Sequence, residues 1–164
     1  MSSVTKSSSR AGVHFDASWK TIMECAVVEV FELMAGVRLE IIPAPQGEAS
    51  GEQTAMVGMA GALCGMTTVR CSKAAAAKLA SLMLGGEAAS NPSLARDALG
   101  ELCNMVAGNF KAKISNLADH CMLSVPTVIS GANYSVDTVP PSDIVTVVLD
   151  YEGEPVWISL ISHT

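Results

Sequence analysis

From Ala17 to Ala35 the apolar positions fall at Trp19, Ile22, Met23, Ala26, Val27, Val30, Phe31 and Met34. This spacing of three and four predicts an amphipathic helix, with Gly36 as its stop. VRLEII, residues 37–42, reads as a strand running into Pro43 and Pro45. PQGEASGEQ follows as a loop, because Gly, Pro and Ser break both regular periods. Thr54 to Ser72 is apolar and strand-like with a bend near Gly61, which predicts a hairpin. KAAAAKLASLML, from Lys73 to Leu84, is built of strong helix formers and ends on Gly85 and Gly86. Asn91 can cap a further helix with Pro92 at its first position, running through Lys111 or slightly beyond. Segments 120–129, 132–139, 143–151 and 155–162 alternate β-branched and polar residues, with EGEP at 152–155 as a hairpin turn.

The order helix, strands, helix, helix, strands predicts an α+β fold, with helices packed on a mostly antiparallel sheet. The closing strand, VWISLIS, is apolar enough to be hazardous at an exposed sheet edge. A second copy of the chain is therefore expected on it, as a homodimer.

The two halves resemble each other. A shift of 72 positions lays VVEVFELMAGVRLEII, from Val27, on LGELCNMVAGNFKAKIS, from Leu99. Glu29 then meets Glu101, Ala35 and Gly36 meet Ala107 and Gly108, and Ile42 meets Ile114. The hairpin from Gln53 to Ser72 falls beside Asp143 to Ser162, so an internal duplication is expected. One mismatch stands out: Glu32 occupies the place of Asn104.

On the helix that begins at Asn91, Asp97, Glu101, Asn104 and Gly108 project within about 60° of one another. Gly100, Ala107 and Gly108 border this stripe and keep the helix surface low, which suits the close approach of a partner. A glycine in a helix interior costs roughly 1 kcal/mol relative to Ala, so these positions call for a reason. Taken alone, such a stripe is most often an ordinary solvated helix face.

Composition narrows the field. At 164 residues and 17.0 kDa the chain has the size of one domain, with residues 1–12 as a loose Ser-rich tail and 13–164 as the folded unit. The tail lacks the apolar core of a signal peptide, and no run approaches the roughly 18 to 20 apolar residues of a membrane span, so a cytoplasmic protein is expected. A net charge of −6 with ten Lys and Arg disfavours a nucleic-acid partner. Five cysteines with no CxxC spacing argue for buried thiols rather than a disulfide framework, and the three histidines form no metal-binding pattern.

DALGELCNMVAGN resembles the signature helix of the CheC/CheX chemotaxis phosphatases, bacterial proteins that remove the phosphoryl group from the phospho-aspartate of the response regulator CheY. That signature has Asp or Ser, Glu four residues later, Asn three after that, and Pro some twenty residues on. Here these are Asp97, Glu101, Asn104 and Pro126. The resemblance spans roughly residues 13–162 and includes the duplicated element order. With Glu29 and Glu32 in place of a first Glu and Asn, the chain is most similar to the single-site CheX type.

The resemblance implies that Asn104 orients the attacking water and that Glu101 pairs with the receiver's active-site Lys. Asp97, Gly100 and Gly108 would then belong to the docking surface, while Pro126 shapes a strand end. It implies no cofactor on this chain, a magnesium ion on the phosphorylated CheY-like receiver, and a dimer. An ionised Glu at the Asn104 position would only accept hydrogen bonds and would add charge near the phosphoryl group. The competing expectation is a non-catalytic interaction domain of the same fold, as in flagellar switch proteins. A sensor using the Cys103 thiol is a third, although that residue points about 100° away from Asn104 on the wheel.

Overall fold

Each long helix begins where a short polar side chain takes up its free amides. The computed structural model describes residues 15–46, 51–137 and 143–163. Helix α1 spans Ala17–Ala35, with the Asp16 carboxylate accepting from the Ser18 amide at 2.8 Å, and ends at Gly36. Helix α2, Lys73–Leu84, starts on Ser72, whose hydroxyl accepts from the Ala75 amide at 3.0 Å. Helix α3, Pro92–Ala112, starts on Asn91, whose side-chain oxygen accepts from Ser93 at 3.1 Å and Leu94 at 3.4 Å. Pro92 at the first helical position gives up an amide that would have had no intrahelical acceptor. The predicted tail, residues 1–12, lies outside the described residues.

The strands are β1 Glu40–Ile42, β2 Gln53–Gly61, β3 Gly65–Cys71, β4 Cys121–Leu123, β5 Thr127–Ser130, β6 Asp143–Tyr151 and β7 Glu154–Ser162. They form one antiparallel sheet in the order β1-β6-β7-β3-β2-β4, with β5 also paired to β2. This is the α+β layering that the order of elements predicts. At the β6–β7 turn Glu152 and Gly153 both have positive φ, 50° and 82°, as a two-residue primed turn requires.

The halves repeat about the centre of the sheet. The β2–β3 hairpin meets the β6–β7 hairpin across β3 and β7, with Thr68 opposite Ser159 and Val69 opposite Ile158. The outer strands are exchanged: β1 of the first half pairs with β6, and β4 and β5 of the second half pair with β2.

Four expectations change. VWISLIS lies in β7, which is bonded to β6 on one side and β3 on the other, so its apolar character reflects an interior position and gives no argument for a second chain. The expected strand 120–129 is two strands, because Pro126 offers no N–H to the ladder and the chain leaves β2 between them. Residues 132–137 carry no strand, and 138–139 lie outside the described residues. The strand expected at 37–42 is reduced to Glu40–Ile42, and a four-residue helix, Ser115–Ala118 (α4), appears with no apolar period to announce it.

Helices and sheet share a core whose largest fully buried side chains include Phe31, Phe110, Met23, Leu99 and Leu102. Trp19 of α1 lies 5.6 Å, centroid to centroid, from Phe110 of α3, which ties the two equivalent helices together. Burial of a side chain the size of Phe110 contributes roughly 1.5–3 kcal/mol. Among the described residues no helix is long and apolar enough to cross a membrane.

Candidate functional site

The sheet-facing side of α3 fixes what its other side presents. Cys103 is fully buried on the sheet, its thiol directed at the Thr67 carbonyl at 3.4 Å and the Ala55 carbonyl at 3.7 Å. Leu99, Leu102, Val106 and Phe110 bury the same broad face. Glu101 is about 160° around the wheel from Cys103 and therefore points outward. The structure leaves Asp97 and Glu101 exposed and Asn104 and Gly108 half-buried, so the predicted stripe lies on one outward face. No side-chain hydrogen bond or ion pair joins Asp97, Glu101 or Asn104 to any described residue.

Gly100 has a different role from the one its position on the wheel suggests. It is buried, and a Cβ at this position would lie 3.3 Å from both Pro126 Cβ and Val128 Cγ2. The missing side chain makes room for the chain's own β4–β5 corner and does not offer a surface to a partner. Gly108 remains half-buried, with Leu123 Cδ1 at 4.0 Å from where its Cβ would be.

Ser124 holds that corner in place. Its amide donates to the Gly58 carbonyl at 2.9 Å, and its hydroxyl accepts from the Gly58 amide at 2.8 Å. One residue thus meets both backbone groups of Gly58 where the ladder between β4 and β5 is interrupted. The corner forms a wall on the Asn104 side of the stripe, and Val125 on it is 84% exposed. Pro126 shapes a strand end, as expected, and its contact with Gly100 adds a role that the sequence signature does not reveal.

The equivalent face of α1 differs. Glu29 is ion-paired to Lys113 at 2.8 Å, and Glu32 lies 3.7 Å from Arg38. Lys113 follows α3 directly, so the second half supplies the cation that binds the first half's carboxylate. The hydrogen bond from Lys113 holds the Glu29 carboxyl below its ordinary value, with a smaller contribution from Asn109. Val28 stands where Gly100 stands, and Gly36 ends α1 in a left-handed conformation where Gly108 lets α3 run on to Ala112.

Burial pushes the Cys103 thiol up to about 12, which removes it from thiolate chemistry at neutral pH and assigns it to packing. Cys71 and Cys121 are also buried, whereas Cys25 and Cys64 are exposed, so the expectation of buried thiols holds for three of the five. Among the described residues no three His, Cys, Asp or Glu side chains come together to hold a metal ion. What α3 presents is an acceptor-only carboxylate beside an amide that both accepts and donates, on a helix face open to a protein surface.

Comparison with known proteins places the chain in a family. Residues 53–150, more than half of its length, match the family model described as chemotaxis phosphatase CheX. Over 82 residues it is 35% identical to the CheY-P phosphatase CheX of Thermotoga maritima, a match covering 49% of this chain and 53% of that protein. The chain thus spans about half the length of the curated relative it matches. The fold is shared with chemotaxis protein CheX from Desulfovibrio desulfuricans, at TM-score 0.77 and 22% identity over 89% of this chain and 99% of that one. It is also shared with a chain of the CheX–CheY–BeF3–Mg2+ complex from Borrelia burgdorferi, at TM-score 0.74 and 18% identity over 89% and 98%. The chain belongs to the CheX chemotaxis phosphatase family.

Proposed function

We propose that this member of the CheX family hydrolyses the phospho-aspartate of a CheY-like response regulator, with Asn104 and Glu101 as its catalytic residues. The observation that carries the reading is the Glu101–Asn104 pair, without partners among the described residues and one helical turn apart on the outward face of α3, in a chain of this family. An acyl phosphate has a carboxylate leaving group whose conjugate acid has a pKa of about 4, so P–O cleavage needs no general acid. Water attacks phosphorus, the bond to the aspartate oxygen breaks, and inorganic phosphate and a free Asp are left. The phosphatase then has to hold the water in line and keep the receiver in register.

In this reading the Asn104 amide accepts from the attacking water and steadies it, and Glu101 pairs with a lysine of the receiver. The magnesium ion is held in this reading by the receiver, in keeping with the presence of Mg2+ in the Borrelia complex, and this chain supplies no cofactor. Asp97, Gly108 and the exposed Val125 frame the docking face, while Gly100 acts from inside by seating Pro126. Residues 13–164 act as one phosphatase domain in the cytoplasm. The homodimer belongs to the same reading, and it would join surfaces other than β7.

Phosphate release from a panel of phosphorylated receivers of the same genome tests this. Acceleration of one receiver by the native chain, lost in Asn104→Ala, is the expected result. Binding of that receiver without faster release would leave an interaction domain and reject catalysis.

A further inference from the structure

A groove of about 440 Å³ opens where α2 and α3 begin, on the side of α3 opposite Glu101. Its polar lining comes from four separate elements: Gln53 of β2, Lys73 and Ala74 of α2, Arg96 of α3 and Ser130 of β5. Ala77, Ala89 and Pro92 make an apolar wall beside them. Arg96 is eight residues before Asn104, so the groove and the proposed catalytic pair are about 12 Å apart along the helix axis.

Two features of the groove call for a ligand. First, neither Lys73 nor Arg96 is ion-paired to a described residue, although the chain carries a net charge of −6. The first turn of α2 leaves one amide beside them. Glu52 takes the Lys73 N–H at 3.1 Å and Ser72 takes the Ala75 N–H at 3.0 Å, while the Ala74 N–H has no acceptor among the described residues. Second, Gln53 is only 4% exposed and its amide oxygen is buried with no hydrogen-bond partner. The amide nitrogen also has no partner among the described residues. A buried acceptor left unmet is costly, the nitrogen is not buried and keeps access to the groove, and rotation about the last torsion lets the amide offer either a donor or an acceptor to a bound group.

Two cations, a helix N-terminal amide, a hydroxyl and an adaptable amide make a donor set for a compact dianion with several oxygens. A carboxylate carries a single charge and would leave half of the charge of the two cations uncompensated. The Glu52 carboxylate on the Lys73 main-chain amide restricts the anion to the Ala74 side. The apolar wall extends past these donors and leaves room for an organic body.

We propose that this groove binds a small phosphomonoester, its phosphate held by Lys73, Arg96 and the Ala74 amide and its organic part against Ala77 and Pro92. The inference is independent of the proposed phosphatase reaction, since it uses neither Glu101 nor Asn104.

Calorimetric titration of the full chain at about 150 mM salt, with phenyl phosphate, benzoate and phenol as probes, tests it. Phenyl phosphate should bind saturably at one site, with benzoate at least about tenfold weaker and phenol silent. The double variant Lys73→Gln/Arg96→Gln should melt like the native chain and lose phenyl phosphate affinity by about tenfold or more. Gln53→Met should also weaken the probe while leaving the unliganded melting temperature equal or higher, which a purely structural glutamine would not do. No saturable phenyl phosphate binding up to about 10 mM, equal affinity for benzoate, or unchanged affinity in the double variant would overturn the assignment.

Discussion

Helices α1 and α3 hold equivalent places in the two halves, but their outward carboxylates have opposite surroundings. On α1, Glu29 is bound by Lys113 and Glu32 lies beside Arg38. On α3, Glu101 has no partner among the described residues, and an amide replaces the second carboxylate. The difference goes further than one substitution. The α1 carboxylates are met by Lys113 and Arg38 of the same chain and Val28 fills the Gly100 position, while α3 leaves its pair without partners among the described residues and uses the missing side chain to seat Pro126. A group held by an intramolecular partner is less available to another protein, so under the proposed function α1 is the idle face and α3 the docking face.

The sharpest way to break the comparison is to remove the amide. We predict that Asn104→Ala lowers receiver dephosphorylation by about 100-fold, the scale of a lost positioning contact, with no change in melting temperature because the side chain bonds to no described residue. Single-turnover phosphate release beside a thermal melt checks both parts. Glu101→Gln comes next. It should weaken receiver binding and turnover together, by about tenfold, and a native binding curve would show that the carboxylate makes no contact across the interface.

Giving α3 the α1 residue at the third position, Gly100→Val, should lower stability by about 1–3 kcal/mol, read by urea unfolding. The new Cβ would sit 3.3 Å from two side-chain atoms of the β4–β5 corner, and the branches beyond it have no room. Activity should fall as the wall moves; full activity would mean that the corner does not contribute to docking. At the small end, Glu32→Ala should leave turnover within about twofold, since under the proposed function its face has no part in the reaction. The Glu29–Lys113 pair should appear only as a pH effect. The folded-state carboxyl titrates below its unfolded value, so its stabilisation is present at neutral pH and is lost as pH falls through the folded value. The stability gap between the native chain and Glu29→Gln should therefore close in acid.

Local chemistry made much of this legible. Ser72, Asn91 and Pro92 fix their own helix starts, and the Glu152–Gly153 turn sets its own hairpin, so α2, α3 and the β6–β7 pair match their predicted bounds closely. The stripe of Asp97, Glu101, Asn104 and Gly108 follows from helix geometry alone. Partner choice was not legible. VWISLIS is equally apolar at an edge or in the centre, and only the crossing that puts β7 between β6 and β3 decides which. Gly100 reads as a low surface until Pro126 is placed on it from another element. The groove of Gln53, Lys73, Arg96 and Ser130 gathers residues from four elements and has no sequence spacing to detect.

The exchange of outer strands has a consequence for biosynthesis. Glu40 leaves the ribosome early but pairs with Asp150, near the other end of the chain, while Gly61 pairs with Cys121. Neither half can complete its own sheet, and during translation the early hairpin has open edges on which other nascent chains can nucleate. Such distant pairings slow folding, because closure of the long loops precedes the contacts that compensate for it. Severing the chain between the halves would yield two fragments that must trade strands to assemble, so the covalent link turns that exchange of strands into an intramolecular step.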